Sequence, residues 1–330
     1  MRALLAMPQG LQHHLFDPTQ LERLARLAEI DTGRTLPDLN AASDAELAAA
    51  EVLVTGWGSP LLDAAALVRL PRLRGIVHTA GTVRFVVSDA VWARGDITVT
   101  SATEANAVPV AEFTLAHLLL AGKRSLAREA RYRTDHTVHG GTAADPGIGN
   151  YGGVVGLIGA SRIGVLVAEH LQRFDLDVLI TDPYASTEQV AALGATKVEA
   201  EKLYSRSDVV SLHAPDLPST RGMVSRDLLA LMRDGTTFVN TARPALVELD
   251  ALREELVSGR LSAVLDVHDD LADDDPIWDL PNVSLTPHIA GSQGNELRRM
   301  GEHALEEVRR LAAGEPARFP VDPARLDISA

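Results

Sequence analysis

Short apolar runs alternate along this chain with longer stretches whose apolar residues recur at helical spacing. Arg2–Met7 reads as a buried strand, and Pro18–Ile30 places Leu21, Leu24, Ala25, Leu27 and Ala28 on one helix face. Glu51–Thr55, Arg74–Thr79 and Ile97–Thr100 read as further strands with helical stretches between them. Such alternation predicts a parallel sheet. Ala107 to about Lys123 predicts a long apolar helix, whereas Arg124–Asn150, rich in Arg, His and Gly and poor in periodicity, reads as an exposed arm or a plain surface loop. A second series begins at Val154–Ile158. Its further strands are Val178–Thr181, Val209–Leu212, Thr237–Asn240, Ala263–Val267 and Val283–Thr286, with helices such as Ile163–Phe174 and Asp250–Ser258 between them. Six strands with helical crossovers suit a dinucleotide-binding sheet. Gly294–Ala313 then carries Leu297, Met300, Ala304, Val308 and Leu311 on one face and is expected to return to the first domain.

Length and composition narrow the picture. The 330 residues make two domains the natural expectation. Apolar residues are 46% and aromatics only 4%, so Ala, Leu and Val must fill the cores, which suits α/β layers. The net charge of -14 disfavours nucleic acid and anionic membranes as partners, although a local Arg can still attract an anionic substrate. Without cysteine there is no disulfide, thiolate nucleophile or Cys-ligated metal. Met1–Gly10 lacks a signal-peptide pattern, and no apolar run approaches ~18 residues, so a cytoplasmic chain without a membrane span is expected. His13-His14 and His136 with His139 lack carboxylates at matching spacing, so no metal is expected.

The strongest local signal runs from Val155 to Gly164. A buried strand ends at Gly159, and Arg162 and Ile163 open an apolar helix. Such a turn aims backbone N–H groups and the positive helix end at a pyrophosphate. Gly159 would make the tight turn and Gly164 would let helix and strand approach, while Ser161 stands where the usual fingerprint has Gly. Its small hydroxyl could itself donate to a phosphate. The bland alternative is a structural strand–turn–helix junction. Asp182, 18 residues beyond Gly164 at the end of the next strand, is placed to accept the ribose hydroxyls of NAD and to repel a 2′-phosphate. Its competing role is a turn former before Pro183.

Five C-terminal segments in register now carry a resemblance. They are Ser211–Pro215, Thr220–Met223, Val239–Arg243, Leu265–Val267 and Leu285–Gly291, and Asn106–Glu112 adds a sixth. Together they resemble the D-isomer-specific 2-hydroxyacid dehydrogenases over nearly the whole chain. The resemblance implies two doubly wound α/β domains with parallel sheets: a Rossmann NAD-binding domain, residues 102–291, inserted into a flavodoxin-like substrate domain, residues 1–101 and 292–330. It implies an active site in a cleft at the carboxyl ends of the strands, and homodimers formed through the NAD domain, with the 124–150 arm a candidate contact.

It also implies roles. Arg243 would grip the substrate carboxylate and carbonyl, a planar fork suited to that geometry. His288 would donate a proton during reduction and take it back during oxidation. Asp266 would accept from the nicotinamide carboxamide. His213, Ala214 and Pro215 would border the cofactor, and Thr220, Thr241, Ala242 and Gly291 fall on the same cofactor-binding segments. Gly81 and Thr82 would offer backbone N–H groups to the substrate carboxylate, or form an ordinary strand-to-helix turn.

The chain departs from the family pattern in three places. The family's Glu partner of the catalytic His falls at Leu271, in a segment about two residues short. Asp270 is the candidate substitute, because strand parity would put it on the side of Asp266 and His268, and Asp269 is the alternative. Pro244 replaces the Gly after Arg243 and should bias that Arg to an extended backbone. Arg84 in the substrate loop is either a second cation for a diacid or phosphorylated substrate, or a solvent-facing residue. The function expected is NADH-dependent reduction of a small 2-keto acid, such as glyoxylate or hydroxypyruvate, to the D-hydroxy acid. An NAD-binding regulatory or scaffold protein with little turnover is the alternative, and formate oxidation a third.

Overall fold

The computed structural model describes residues 1–136 and 148–326. The chain divides into two compact units, one of residues 1–106 and 292–330, the other of residues 107–291. The first unit opens with β1 (Ala3–Ala6), α1 (Leu11–Leu15), α2 (Pro18–Leu27), α3 (Asp44–Ala49), β2 (Val52–Thr55), α4 (Ala64–Arg69), β3 (Gly75–His78), α5 (Asp89–Arg94) and β4 (Thr98–Ser101). The strands pair in the order β1-β2-β3-β4, all parallel. Every residue of β2 and β3 is buried, as parallel strands covered by helices on both faces require. A parallel bridge from Arg2 to Glu29 and the bond from Leu36 N to Leu5 O lay the chain after α2 along the outside of β1. Counting that segment as a strand gives the flavodoxin-like order 2-1-3-4-5. The periodicity showed no strand there because only one bridge forms.

Next come α6 (Thr103–Gly122), which straddles the division, and α7 (Ser125–Asp135). By length and composition α6 is long and apolar enough to cross a membrane, a test that the core helix of a soluble protein also passes. Ala111 and Leu118 on this helix pack into the core of the second unit, and Glu104 and Glu112 interrupt the apolar run. The helix α7 corrects the reading of Arg124–Asn150 as an arm or loop. It fully buries no side chain, only Leu126 packs partly on the core, and Arg133–Glu129 and Arg131–Asp135 pair one turn apart, which supports a helix with a mostly polar surface. Residues 137–147 of that stretch lie outside the described residues.

The second unit continues with β5 (Gly153–Ile158), α8 (Arg162–Leu171), β6 (Leu176–Thr181), α9 (Thr187–Ala192), β7 (Thr196–Lys197), α10 (Ala200–Arg206), β8 (Val209–Leu212), α11 (Arg226–Leu231), β9 (Thr237–Asn240), α12 (Leu249–Val257), β10 (Ser262–Leu265) and β11 (Val283–Leu285). The sheet order is β11-β10-β9-β8-β5-β6-β7, parallel throughout. This is the doubly wound Rossmann order with one strand added beyond the sixth, and the chain reverses direction of winding at β5. The two-residue β7 is too short to leave a period in the sequence. Alternate strand residues feed two cores. Ile158, Val210 and Phe238 face one layer of helices, and Leu157, Val209 and Val239 face the other.

The C-terminal helix α13 (Leu297–Ala313) belongs to the first unit. Its Met300, Ala304, Leu305, Val308 and Leu311 pack with Leu5, Leu15 and Val54. Gly301 permits this approach, since a Cβ there would lie 2.2 Å from the Leu15 carbonyl oxygen.

Candidate active site

The turn after β5 is shaped by close packing. Gly159 has φ +96°, and a Cβ on it would lie 3.1 Å from Ala214 N. A Cβ on Gly164 would lie 2.2 Å from the Gly159 carbonyl oxygen. Both positions therefore exclude side chains. Ser161 is different: its φ of -65° and ψ of 176° suit any residue, and its Oγ accepts from Gly164 N at 3.3 Å as the cap of α8. The hydroxyl proton remains to be donated. Arg162 and Ile163 begin the helix proper. The cradle thus fits a phosphate group held by N–H donors at a helix start.

Asp182 does more than either expected role. Its Oδ2 accepts from Ala160 N at 2.7 Å, and its Oδ1 accepts from Tyr184 N at 2.7 Å and Ala185 N at 2.8 Å. It forms the turn at Pro183 and fastens the glycine turn to the end of β6. A carboxylate accepts about four hydrogen bonds, so capacity is left for a ribose hydroxyl.

His213, Ala214 and Pro215 follow β8 and press on the glycine turn. His213 N donates to Ile158 O at 2.8 Å, and its buried ring leaves Nε2 without a partner. Burial pushes its pKa down to about 3, so the ring is neutral. Thr220 turns inward: its Oγ1 donates to Pro215 O at 2.6 Å and accepts from Leu217 N at 2.9 Å. Thr241 Oγ1 meets Thr114 Oγ1 of α6 at 3.0 Å, both buried. Each of these two threonines fixes a loop.

Three adjacent strands deliver the remaining groups at their carboxyl ends: Arg243 after β9, Asp266 after β10 and His288 after β11. Asn240 holds the first turn, accepting from Ala242 N at 2.9 Å and donating to Arg243 O at 3.1 Å. Arg243 is extended, with φ -148° and ψ 145°, as Pro244 requires. Its exposed guanidinium donates to Ala242 O at 2.6 Å and forms no ion pair among the described residues.

Asp266 organises the neighbouring loop. It is 1% exposed, and its Oδ1 accepts from Thr286 Oγ1 at 2.6 Å and Ile289 N at 2.8 Å, while Oδ2 accepts from Ala290 N at 2.8 Å. Its carbonyl accepts from His288 N at 2.9 Å. His288 is left-handed, with φ +54°, a conformation that a non-glycine residue keeps only when its neighbours enforce it. Asp266 supplies that enforcement, and its Oδ2 retains one acceptor site. Gly291, next to this clamp, is the last residue of the second unit.

The parity argument for Asp270 fails. Strand β10 ends at Leu265, and a turn closed by Leu271 N to His268 O carries Asp269 and Asp270 into solvent. Leu271 itself packs on the apolar core. Among the described residues no hydrogen bond or ion pair engages the His288 ring, from Asp269, Asp270 or any other group. What lies nearby instead is His268, whose Nε2 meets Thr286 O at 3.1 Å and whose ring stands edge-on to Trp278.

Sequence reasoning missed His117. This half-buried residue of α6 packs its ring on Phe113 at 4.4 Å between centroids. Burial lowers its pKa, and the Asp266 charge pulls in the opposite direction. The four-residue spacing from Phe113 was the available signal, but it does not point to Asp266.

In the first unit, Gly81 and Thr82 lie in the loop after β3, and a Cβ on Gly81 would meet open space. Arg84 is exposed and its guanidinium donates to the carbonyl of Leu326 in the C-terminal segment.

Residues 116–290 match the family profile described as D-isomer specific 2-hydroxyacid dehydrogenase, NAD binding domain. The D-3-phosphoglycerate dehydrogenase of Mycobacterium tuberculosis is 34% identical over 256 residues, which are 77% of this chain and 48% of that protein. The hydroxypyruvate reductase of Thermotoga maritima is 36% identical over 162 residues, 48% of this chain and 52% of that one. The chain thus spans about half the length of these curated relatives. A crystal structure of a Thermus thermophilus protein superposes with a TM-score of 0.73 at 30% identity, covering 98% of this chain and 100% of that one.

Proposed function

The chain belongs to the D-isomer specific 2-hydroxyacid dehydrogenase family, and from that premise we propose that it reduces a small 2-keto acid of the glyoxylate or hydroxypyruvate type to the D-2-hydroxy acid with NADH. The observation that carries the proposal is the row of Arg243, Asp266 and His288 at the ends of three neighbouring strands of the sheet that holds the glycine turn. With strands about 4.8 Å apart, β9 lies roughly 10 Å from β5, two spacings along the sheet.

The bound dinucleotide supplies the hydride. The glycine turn with Ser161, Arg162 and Ile163 would hold its pyrophosphate, Asp182 its adenosine ribose, and the 213–215 and 241–242 segments its nicotinamide half, with Asp266 and Gly291 beside them. His288, held by the Asp266 clamp, gives its proton to the substrate carbonyl oxygen and takes one back in the reverse direction. Arg243 grips the carboxylate, and its charge stabilises the oxyanion as it develops.

The test is NADH and NADPH oxidation by the purified chain over glyoxylate, hydroxypyruvate, pyruvate and phosphohydroxypyruvate. Turnover of the first two with NADH is expected. NADH binding without turnover of any 2-keto acid would overturn the proposal and favour a regulatory or scaffold role. That second reading draws support from the absence, among the described residues, of a carboxylate on His288.

A further inference from the structure

After α13 the chain returns along the edge of the first unit's sheet. Ser101 N donates to Phe319 O at 3.3 Å, Val321 N donates to Val99 O at 2.8 Å, and Thr100 and Pro320 form an antiparallel bridge. This segment covers the outer edge of β4, whose backbone groups would otherwise stand unpaired. Val321 and Leu326 then pack on an apolar core of the unit, and Leu326 O accepts from the Arg84 guanidinium. Residues 318–326 are thus a strap that closes one side of the sheet and ends on the loop after β3.

Two side chains of α13 hold the start of the strap. Glu307, 2% exposed, accepts at Oε1 from Arg318 N and from Phe319 N, both at 3.0 Å. One turn earlier the His303 ring stacks on Phe319, with centroids 4.1 Å apart and planes inclined by 14°. The Arg318 guanidinium lies 5.1 Å from the same Phe319 centroid. His303 Nδ1 is buried and has no hydrogen-bond partner among the described residues. A neutral imidazole can keep its hydrogen on Nε2 and leave Nδ1 as a bare lone pair. An imidazolium carries hydrogen on both nitrogens, which would put a charged, unsatisfied donor into that buried place. The stack therefore disfavours a second proton on geometric grounds. The charges around the ring are mixed. Glu104 on α6 favours the imidazolium, whereas Arg299 on α13 and Arg318 on the strap oppose it. Strand β4 brings no titratable side chain, β3 brings His78, which burial keeps neutral, and towards α2 the charges of Arg23 and Glu302 pair with each other. Burial is the largest influence on His303 and lowers its pKa from 6.5.

We propose that His303 is a proton-sensitive latch: neutral, it stacks against Phe319 and keeps the strap on the edge of β4; protonated, it lets the strap go. The sign follows from linkage. A histidine whose pKa is lowered by docking binds its proton more readily once the strap has lifted. The docked form is therefore favoured in full above about pH 6.5 and loses ground as the pH falls, by at most about tenfold per pH unit. Glu307 acts in the opposite sense, because burial raises its pKa against the pull of the two N–H groups and Arg310, so its protonated form suits the docked state.

The test is amide hydrogen exchange on the whole chain at pH 7.5 and 5.5, with rates corrected for the intrinsic effect of pH. Protection of the Ser101 and Val321 amides should fall by about threefold or more at the lower pH, while the amides of β2 keep theirs. In His303→Phe, which retains an aromatic stack and cannot take a proton, that fall should vanish. His303→Gln serves if the Phe variant does not fold. Unchanged protection of both amides in the wild type, or an equal fall in the variants, would overturn the inference. A matching fall in β2 would overturn it too, since acid would then be loosening the whole unit rather than the strap.

Discussion

Asp266→Asn isolates the clamp on His288. The variant keeps one oxygen for Thr286 Oγ1 and Ile289 N, but its amide nitrogen meets the Ala290 N–H, donor against donor. Ala290 is 3% exposed, so water does not replace the lost acceptor. A hydrogen bond to a charged group contributes about 1.5–3 kcal/mol, and a buried unsatisfied donor costs about 1–3 kcal/mol. Removing a buried charge returns part of this through desolvation. A net loss of about 2–3 kcal/mol in the local stability of the 286–290 segment is expected. The left-handed backbone of His288 costs about 1–2 kcal/mol and depends on the same clamp, so the pinned conformer should become about tenfold rarer. Native-state hydrogen exchange at the Ile289 and Ala290 amides reads the first effect, and kcat for glyoxylate reads the second. Thr286→Val, which deletes one donor to Oδ1 and leaves no donor opposed, should lose about 1.5–2 kcal/mol. Unchanged protection of the two amides in Asp266→Asn would refute the clamp, whatever happens to turnover.

Three further outcomes are expected. His288→Asn should abolish turnover while NADH affinity stays within about threefold, and its stability should hold or rise slightly because Asn tolerates the left-handed region, as equilibrium denaturation will show. Ser161→Ala should destabilise α8 by about 0.5–2 kcal/mol and weaken NADH binding, whereas Ser161→Gly should cost only a few tenths, as paired melting and titration experiments can separate. His213 is held neutral in the fold, with its pKa lowered from 6.5 to about 3. The unfolded chain therefore binds the extra proton, and this contribution to stability is full above about pH 6.5 and falls through the window down to about pH 3. The slope is on the order of 1.4 kcal/mol per pH unit for such a group. Denaturation midpoints measured across that window should show a shallower decline in His213→Gln.

The sheets were largely legible from sequence because a buried parallel strand is a short apolar run with a turn after it, and Val155–Ile158 and Val209–Leu212 are of that kind. The glycine turn was legible because Gly159 takes a left-handed φ at the turn itself and Gly164 packs on Gly159 five residues away, both local requirements. The clamp made by Asp266 was not legible, for the opposite reason. Its partners lie 20 to 24 residues away, and side-chain bonds to a distant backbone leave no period. The parity argument for Asp270 assumed a strand that in fact stops at Leu265. The Pro244 argument succeeded because proline acts on the residue directly before it, and Arg243 is extended. The helix α7 was missed because it fully buries no side chain, so hydropathy carried little information there.

The threefold grip of Asp182 on backbone N–H groups bears on any attempt to retool the chain for a phosphorylated coenzyme. The usual exchange of such an acid for a small or basic residue would remove the counter-repulsion to the extra phosphate. It would also untie Ala160, Tyr184 and Ala185 at once. On the ribose role proposed for Asp182, coenzyme choice and the rigidity of the glycine turn would rest on one side chain, so a workable redesign must bring a neutral acceptor, such as Asn, together with a cation placed elsewhere.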